Sequence, residues 1–216
     1  PGVYQGTHIN TQHQDIRKLV ENIRNDSVPL AAQRRQLDLL AELNRGHLTE
    51  RGYDPALESR IHSFELAFRM QQEAGEAFDV SREPKHVLDA YGPGTQARQI
   101  LIARRLIERG VRFVELIDVG SSDNWDAHGD MIAQHAPLAK NVDQPVAGLL
   151  KDLKRRGLLD ETLVVVNAEF GRTPKINSAG GRDHWPWVYS LVLAGGGARP
   201  GTVYGASHNS AAYPIS

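Results

Sequence analysis

The 216-residue sequence contains no cysteine, and this absence restricts the chemistry that the chain can carry out. Disulfide bonds, thiolate nucleophiles and cysteine-ligated zinc are all excluded. Any bound metal must therefore be held by imidazole, carboxylate or other oxygen ligands. The sequence also lacks an apolar run of the about 20 residues that cross a membrane as a helix, so no membrane span is expected.

A large excess of charge of one sign is missing as well. The chain has 25 lysines and arginines against 26 aspartates and glutamates, which gives a formal net charge of -1. No basic field is available to recruit nucleic acid, so we expect a small-molecule partner and no nucleic acid. The 40% hydrophobic content is typical of a globular protein, and the chain is long enough to bury a core. The sequence leaves the oligomeric state open.

Three parts of the chain differ in their sequence patterns. Residues 1–28 are polar and weakly periodic, and we expect an N-terminal arm or long loop there. Residues 29–93 carry apolar side chains at helical spacing and predict a helical segment that packs on the core. Residues 94–216 alternate between helical and strand patterns and contain the polar loops that point to function.

Two helices are predicted within residues 29–93. The first ends near Asn44 and Gly46, because these residues commonly terminate helices. The second begins where Asp54 caps Pro55, and Gly75 ends it. Its apolar face is predicted to consist of Leu57, Ile61, Phe64, Phe68 and Met70.

The third part has the element order of an open α/β sheet. Helices are predicted at Thr95–Arg109 and Met131–Arg156, and strands at Val111–Asp118, Thr162–Asn167 and Val188–Ala194. The continuous apolar run in the second strand is typical of a strand buried on both faces of a parallel sheet. We therefore expect an α/β fold of three layers, with a mostly parallel sheet flanked by helices. Ligands of such folds bind beyond the carboxyl ends of the strands.

Polar loops follow the predicted strands and carry residues that can bind a metal. Carboxylates and imidazoles occur in all three loops, so we predict a divalent-metal site at this edge of the sheet. The predicted ligands are Asp126, His128, Glu169, Asp183 and His184. Simpler interpretations are a helix-capping Asp126 beside a solvent-exposed His128, and a surface pair between Glu169 and Arg172.

The donor types limit the choice of metal. Oxygen and nitrogen donors suit Zn²⁺, Mn²⁺, Mg²⁺ or Ca²⁺, and the two histidines favour zinc or manganese over calcium. Arg172 and Arg182 are nearby cations that suit a tetrahedral oxyanion such as phosphate or sulfate. Salt bridges from these arginines to Glu169 or Asp183 are the alternative interpretation.

Several segments resemble a bacterial sulfatase-like family known as domain-of-unknown-function family 1501. The resemblance covers nearly the whole chain, and the most specific segments are Glu169–Pro174 and Gly181–His184. Further similar segments are Ser59–Ile61, Phe64–Gln71, Arg104–Val114, Trp125–His128, Asp143–Pro145, Asp152–Val166, Ala194–Gly197 and Val203–Gly205.

That family is similar to the alkaline phosphatase superfamily, which includes sulfatases. The resemblance implies that Asp126, His128 and His184 match metal ligands of the superfamily. Glu169 is followed by Phe170 where superfamily members often carry Asp-His, which argues against a full two-metal site. Nothing in residues 1–100 resembles the strand that supplies the nucleophile. The chain is therefore expected to be the central-to-late portion of a longer protein, with an incomplete sheet and active site.

The resulting expectation is a metal-dependent hydrolase of sulfate or phosphate esters that lacks its nucleophile in this chain. Arg172 would orient the oxyanion of a small-molecule ester. The alternative is a non-catalytic metal- or ligand-binding protein derived from the hydrolase fold. An extracytoplasmic or periplasmic location is implied by the resemblance alone.

Overall fold

A computed structural model describes residues 6–11, 13, 15–20, 25–118 and 124–215. The chain divides into two compact units, Pro1–Ser81 and Arg82–Ser216. Parts of two predictions lie outside the described residues: 1–5, 12, 14 and 21–24 of the N-terminal arm, and 119–123 of the first polar loop. The domain bounds predicted near residues 28 and 93 stay a prediction.

The first unit is built from helices α1 (Ile16–Leu19), α2 (Leu30–Arg51) and α3 (Pro55–Phe78). The carboxylate of Asp54 accepts hydrogen bonds from the backbone N–H groups of Ala56 and Leu57, which confirms the predicted cap of α3. Arg34 of α2 forms an ion pair with Glu65 of α3, with 2.7 Å between Nη2 and Oε1. The two long helices, both predicted from the sequence, therefore form a hairpin.

The predicted ends of both hairpin helices are wrong. Helix α2 continues through Asn44 and Gly46 to Arg51, and α3 continues through Gly75 to Phe78. A glycine inside a helix costs only about 1 kcal/mol, which the continued hydrogen bonding and packing can offset. Gly52, with φ at 82°, is the residue that ends α2. The predicted apolar position Met70 has a side chain outside the described part of the structure.

Three helices form the core of the second unit. After a 3₁₀ turn at Val80–Arg82 come α4 (Lys85–Tyr91), α5 (Thr95–Glu108) and α6 (Met131–Arg155), and both α4 and α5 pack against α6. Their buried apolar side chains include Val87, Tyr91, Leu101 and Leu153, each at most 2% exposed. Gly148 allows close packing, since a Cβ there would lie 2.7 Å from the carbonyl oxygen of Ala90.

A cluster of charged side chains lies between these helices, with four of them buried and Arg156 at the exposed edge. The guanidinium of Arg104, 1% exposed, forms ion pairs with Glu83 at 2.7 Å and with Asp152 at 3.1 Å. Arg105 also pairs with Glu83, and Arg156 pairs with Asp152 at 3.0 Å. We call these five residues the buried ion cluster.

Interactions within the buried ion cluster favour the ionised carboxylates. Burial opposes the charged form of Glu83, but hydrogen bonds from Arg104 and Arg105 outweigh it and hold its pKa below the usual range. Burial likewise opposes the charge of Asp152, and hydrogen bonds from Arg155 and Arg156 lower its pKa in spite of this. Each buried carboxylate is therefore stabilised by arginine partners.

The strands of the described residues form two small antiparallel sheets. Strand β1 (Val164–Val166) pairs with β4 (Val192–Ala194), with Val164 opposite Ala194. Strand β2 (Gly171–Arg172) pairs with β3 (His184–Trp185), with Arg172 opposite His184. The second sheet lies in the polar loops that carry the predicted ligands.

The predicted α/β fold of three layers with a mostly parallel sheet is wrong. The described residues contain six α-helices and only the two antiparallel pairs, and the predicted strand Val111–Asp118 forms no ladder. Phe113, 80% exposed, lies in that segment, and Val165 of β1 is 50% exposed, so β1 is not buried on both faces. An apolar alternating pattern favours extended backbone but does not select a partner strand.

The direction of β4 follows from its terminal glycines. The N–H of Gly196 donates to the carbonyl of Leu159, and a Cβ on Gly195 would lie 2.4 Å from the carbonyl oxygen of Thr162. The end of β4 is therefore packed against the start of β1, which makes the pair antiparallel.

None of the helices in the described ranges is both long and apolar enough to cross a membrane.

Candidate metal centre

Three predicted ligands place one donor atom each at a common point. Nε2 of His184 lies 2.9 Å from Oδ1 of Asp126, and Nε2 of His128 lies 3.1 Å from the same oxygen. The two Nε2 atoms are 3.2 Å apart. We call Asp126, His128 and His184 the loop cluster.

The size of this triangle suits a small divalent ion. Donors bound tetrahedrally to zinc at about 2.0–2.1 Å are separated from one another by about 3.3 Å. The observed separations of 2.9 to 3.2 Å need to open by only a few tenths of an ångström. The side chains are 45% to 50% exposed, so an ion can reach them and further ligand positions face solvent.

The contact of His128 with Asp183 favours one tautomer of its neutral ring. Nδ1 of His128 lies 2.9 Å from Oδ1 of Asp183, and an ionised carboxylate can only accept, so this nitrogen donates. In the neutral imidazole, Nε2 of His128 then carries the lone pair that a metal requires. Nε2 of His184 contacts Oδ1 of Asp126 at 2.9 Å.

Asp183 and His128 stabilise each other's charged forms. The hydrogen bond with Asp183 raises the pKa of His128 above its usual value. The same contact lowers the pKa of Asp183. Asp183 does not belong to the group of three converging donors, because it meets His128 on the ring nitrogen that faces away from them.

Asp126 is held in its ionised form by two neighbours. Hydrogen bonds from Arg172 and His184 lower its pKa to about 2. Arg172 also lies 3.4 Å from Oε1 of Glu169, which is the surface pair considered as the simpler interpretation of that glutamate. The ring of Phe170 packs against both His184, at 4.5 Å between centroids, and the guanidinium of Arg172, at 5.4 Å.

Short backbone pairings bring the separate loops together. The pairing of β2 with β3 sets Arg172 opposite His184, and an isolated bridge joins Gly129 to Gly180. The N–H of Arg182 also donates to the carbonyl of Ala127. The loop of Asp126 and His128 is thus tied to the loop of His184 on both sides of the cluster.

The start of the first loop is anchored separately. The indole N–H of Trp125 donates to the carboxylate of Asp118 over 2.7 Å, and the side-chain amide of Asn124 donates to the carbonyl of Asp118 over 2.8 Å. His135 of α6 contacts the carbonyl of Trp125 at 3.0 Å. The residue immediately before Asp126 is therefore fixed by both its side chain and its backbone.

Comparison with known proteins identifies the family. The family model described as "Protein of unknown function (DUF1501)" matches residues 1–215. The chain belongs to the DUF1501 family. This confirms the family predicted from the sequence, whereas the match does not extend to sulfatases or alkaline phosphatases. No curated protein and no solved structure matches the chain.

In this DUF1501 protein the predicted site residues take different places. Asp126, His128 and His184 converge, Asp183 supports His128, and Arg172 contacts Asp126. Glu169, with a 63% exposed side chain, contacts Arg172 and is not among the converging donors. Their roles as metal ligands stay a prediction.

Two polar residues that support the cluster were missed by the sequence analysis. Asn177 donates to the carbonyl of His128, and Thr173 accepts from the N–H of Asp183. The sequence signal for Asn177 was the turn-forming composition of Asn177–Gly181, and Thr173 lies in the family-like segment Glu169–Pro174. That signal predicts a loop but not which residues the loop contacts.

Proposed function

We propose that this chain holds a divalent metal through Asp126, His128 and His184 and contributes this metal to the hydrolysis of a phosphate or sulfate ester. The observation that carries the proposal is the convergence of three donor atoms within 3.2 Å of one another. Two imidazoles and one carboxylate are a ligand set of zinc hydrolases and also of mononuclear ferrous centres. A bound ion would supply Lewis-acid polarisation of an ester oxygen.

Arg172 supports the choice of an anionic substrate. Its guanidinium contacts Asp126 and packs over Phe170, so it is held beside the loop cluster with its side chain 20% exposed. A guanidinium is well suited to pair with two oxygens of a phosphate or sulfate group. In this proposal Arg172 binds and orients the oxyanion.

Metal titration tests the first part of the proposal. The protein is stripped with a chelator and titrated with Zn²⁺, Mn²⁺, Fe²⁺ and Mg²⁺ by calorimetry. We expect one of the transition metals to bind, and His128→Ala or His184→Ala to weaken binding by at least about 100-fold, since a ligand is removed. His62→Ala, a change on the exposed surface of α3, is the matched control. Equal affinities in all variants would contradict the assignment.

Ester hydrolysis tests the second part. Aryl phosphate and aryl sulfate are incubated with the metal-loaded protein, with and without chelator. We expect metal-dependent turnover that Arg172→Met lowers, while metal affinity in this variant is retained because the guanidinium no longer competes for Asp126. Retained turnover in Arg172→Met would contradict the oxyanion role.

A non-catalytic metal-binding protein is the second candidate. The specific observation in its favour is that the hydroxyl of Thr173, the nearest in sequence to Arg172, is used structurally: it donates to Lys175 and accepts from Asp183. Phe170 likewise offers packing rather than chemistry. Metal binding without turnover of either ester in the same assays supports this candidate.

A further inference from the structure

We propose that Asp183 and Asn177 are positioning residues that fix the orientation and tautomer of His128, rather than ligands of the metal. This inference rests on the proposed metal site. The sequence predicts Asp183 as a direct ligand, but its contact with Nδ1 of His128, at 2.9 Å, is on the opposite ring nitrogen from the converging Nε2. The geometry points to a carboxylate–histidine–metal arrangement.

The position of Asp183 is determined by its backbone. The N–H of Thr173 donates to the carbonyl of Asp183 over 2.9 Å, and the N–H of Asp183 donates back to the hydroxyl of Thr173 over 3.1 Å. Both hydrogen-bonding groups of the Asp183 backbone are therefore paired with one residue of the neighbouring strand region. The backbone of Asp183 is therefore held in place beside the loop of His128.

Asn177 links Asp183 to the backbone of His128. Its side-chain N–H₂ donates to the carbonyl of His128 at 3.0 Å and to Oδ1 of Asp183 at 3.3 Å. Its Oδ1 accepts from the N–H groups of Ala179 and Gly181, each at 3.0 Å. A single amide thus holds the histidine, its carboxylate partner and the intervening turn in one arrangement.

Gly181 completes this arrangement by close contact. A Cβ on Gly181 would lie 2.0 Å from the carbonyl carbon of His128, so only glycine allows the two loops to approach this closely. The position of the His128 backbone is therefore fixed by contact as well as by hydrogen bonds. With its backbone fixed and Nδ1–H directed to Asp183, the imidazole presents Nε2 to Asp126 and His184.

Removal of the Asp183 carboxylate allows the ring to change its tautomer or flip. Either change takes the Nε2 lone pair away from the metal position. In a neutral imidazole, the hydrogen bond made by one ring nitrogen determines which of the two nitrogens carries the proton. Partners of this kind typically contribute about 10- to 100-fold to metal affinity. Asp183→Asn keeps an oxygen that can accept from Nδ1–H, so it should lose less affinity than Asp183→Ala.

The closing experiment combines three measurements on the whole chain. Zn²⁺ affinity is measured by competition with a chelator, ligand number by X-ray absorption, and the His128 tautomer by long-range ¹H–¹⁵N NMR of the metal-free protein. We expect Asp183→Ala to bind about 10- to 100-fold more weakly with the same number of imidazole ligands. Its His128 signal should change from the Nδ1–H form to a mixture of tautomers.

Asn177→Asp is a second, nearly isosteric variant. It can still accept from Ala179 and Gly181 but can no longer donate to His128 or Asp183, so we expect weaker zinc binding and the same tautomer mixture. The control Asp160→Ala, an exposed aspartate in a turn, should change none of the three measurements.

The outcomes separate this inference from the proposed function. Loss of an oxygen ligand in Asp183→Ala, or unchanged affinity and tautomer in both variants, would overturn the positioning role. A wild-type protein that binds no metal contradicts the proposed function instead. In that case the tautomer of the metal-free protein still tests whether Asp183 and Asn177 position His128.

Discussion

The buried ion cluster and the loop cluster combine carboxylates with basic side chains in opposite ways. In the buried ion cluster the side chains of Arg104, Glu83 and Asp152 are 1%, 6% and 2% exposed, and cations and anions alternate. In the loop cluster the side chains of Asp126, His128 and His184 are 45% to 50% exposed, and two imidazole nitrogens face each other.

The difference separates a structural cluster from the metal site proposed for this chain. Arginine is always protonated and offers no lone pair, so the arginines of the buried ion cluster cannot bind a cation; they join α5 to α6 and to Glu83, which precedes α4. The loop cluster instead brings a carboxylate oxygen and two imidazole nitrogens within 3.2 Å of one another, an arrangement that suits a metal ion. Charge pairing alone therefore does not indicate a metal site, and the proposed metal site depends on the convergence of the donor atoms instead.

The largest expected effect comes from breaking the buried ion cluster. Arg104→Met leaves Glu83 and Asp152 buried with fewer partners, and we expect the free energy of unfolding to fall by about 3–5 kcal/mol. Urea unfolding followed by circular dichroism measures the loss. The matched control is Lys85→Met, which removes the exposed pair with Asp89 on α4 and should change stability by less than about 1 kcal/mol. Similar losses in both variants would contradict the structural role of the buried ion cluster.

A smaller effect is expected from adding a single methyl group in the loops. In Gly181→Ala the new Cβ meets the backbone of His128, and we expect a loss of about 1–3 kcal/mol in stability together with weaker zinc binding. In α2 the matched change Gly46→Ala meets no atom within 4 Å and should stabilise the helix by about 0.5–1 kcal/mol. Unfolding and zinc titration of both variants check the contrast. Unaltered zinc binding in Gly181→Ala would show that zinc binding does not require the two loops to lie this close together.

The sequence allowed local features to be predicted well. The cap formed by Asp54 and the extent of α5 depend on neighbouring residues, and the structure places both close to the prediction. The spacing of Asp126 with His128, and the adjacency of Asp183 and His184, identified chemistry-bearing residues that the structure brings together. These signals are contained within single loops.

Features that depend on distant contacts could not be predicted. The antiparallel direction of β4 depends on the packing of Gly195 against Thr162, and the pairing of Arg104 with Asp152 joins helices far apart in the sequence. The different positions of Asp183 and Glu169 also follow from contacts between loops. The residue types predicted a metal site. Only the fold distinguishes a side chain that converges with the other proposed ligands from one that supports a proposed ligand.

Acid should destabilise the buried ion cluster progressively. The pKa values of Glu83 and Asp152 are lowered in the folded protein, so their stabilisation is fully present above the pKa values of the unfolded chain. This stabilisation is lost as the pH falls through the lower pKa values of the folded state. The loss is up to about 1.4 kcal/mol per pH unit for each extra proton bound by the unfolded chain. Urea unfolding between pH 7 and pH 3 measures this slope.

The salt concentration and the Arg104→Met substitution distinguish this acid response from that of the loop carboxylates. Asp126 and Asp183 also have lowered pKa values, but they are exposed, so high salt should reduce their contribution and leave that of the buried ion cluster. Arg104→Met should flatten the slope that remains in high salt. An unchanged slope in that variant would place the acid-sensitive groups elsewhere.

The smallest expected effect is a salt response of His128. Asp183 raises the pKa of this imidazole, but the two side chains are 47% and 55% exposed, so dissolved ions screen the interaction. In the chelated protein, the pKa of His128 measured by NMR should move toward its ordinary value of about 6.5 as salt is added. Asp183→Asn removes the charged partner, so the pKa in this variant should be lower from the start and respond less to salt. A pKa of His128 that stays raised in high salt would mean that this pair is shielded from solvent in the same way as the buried ion cluster.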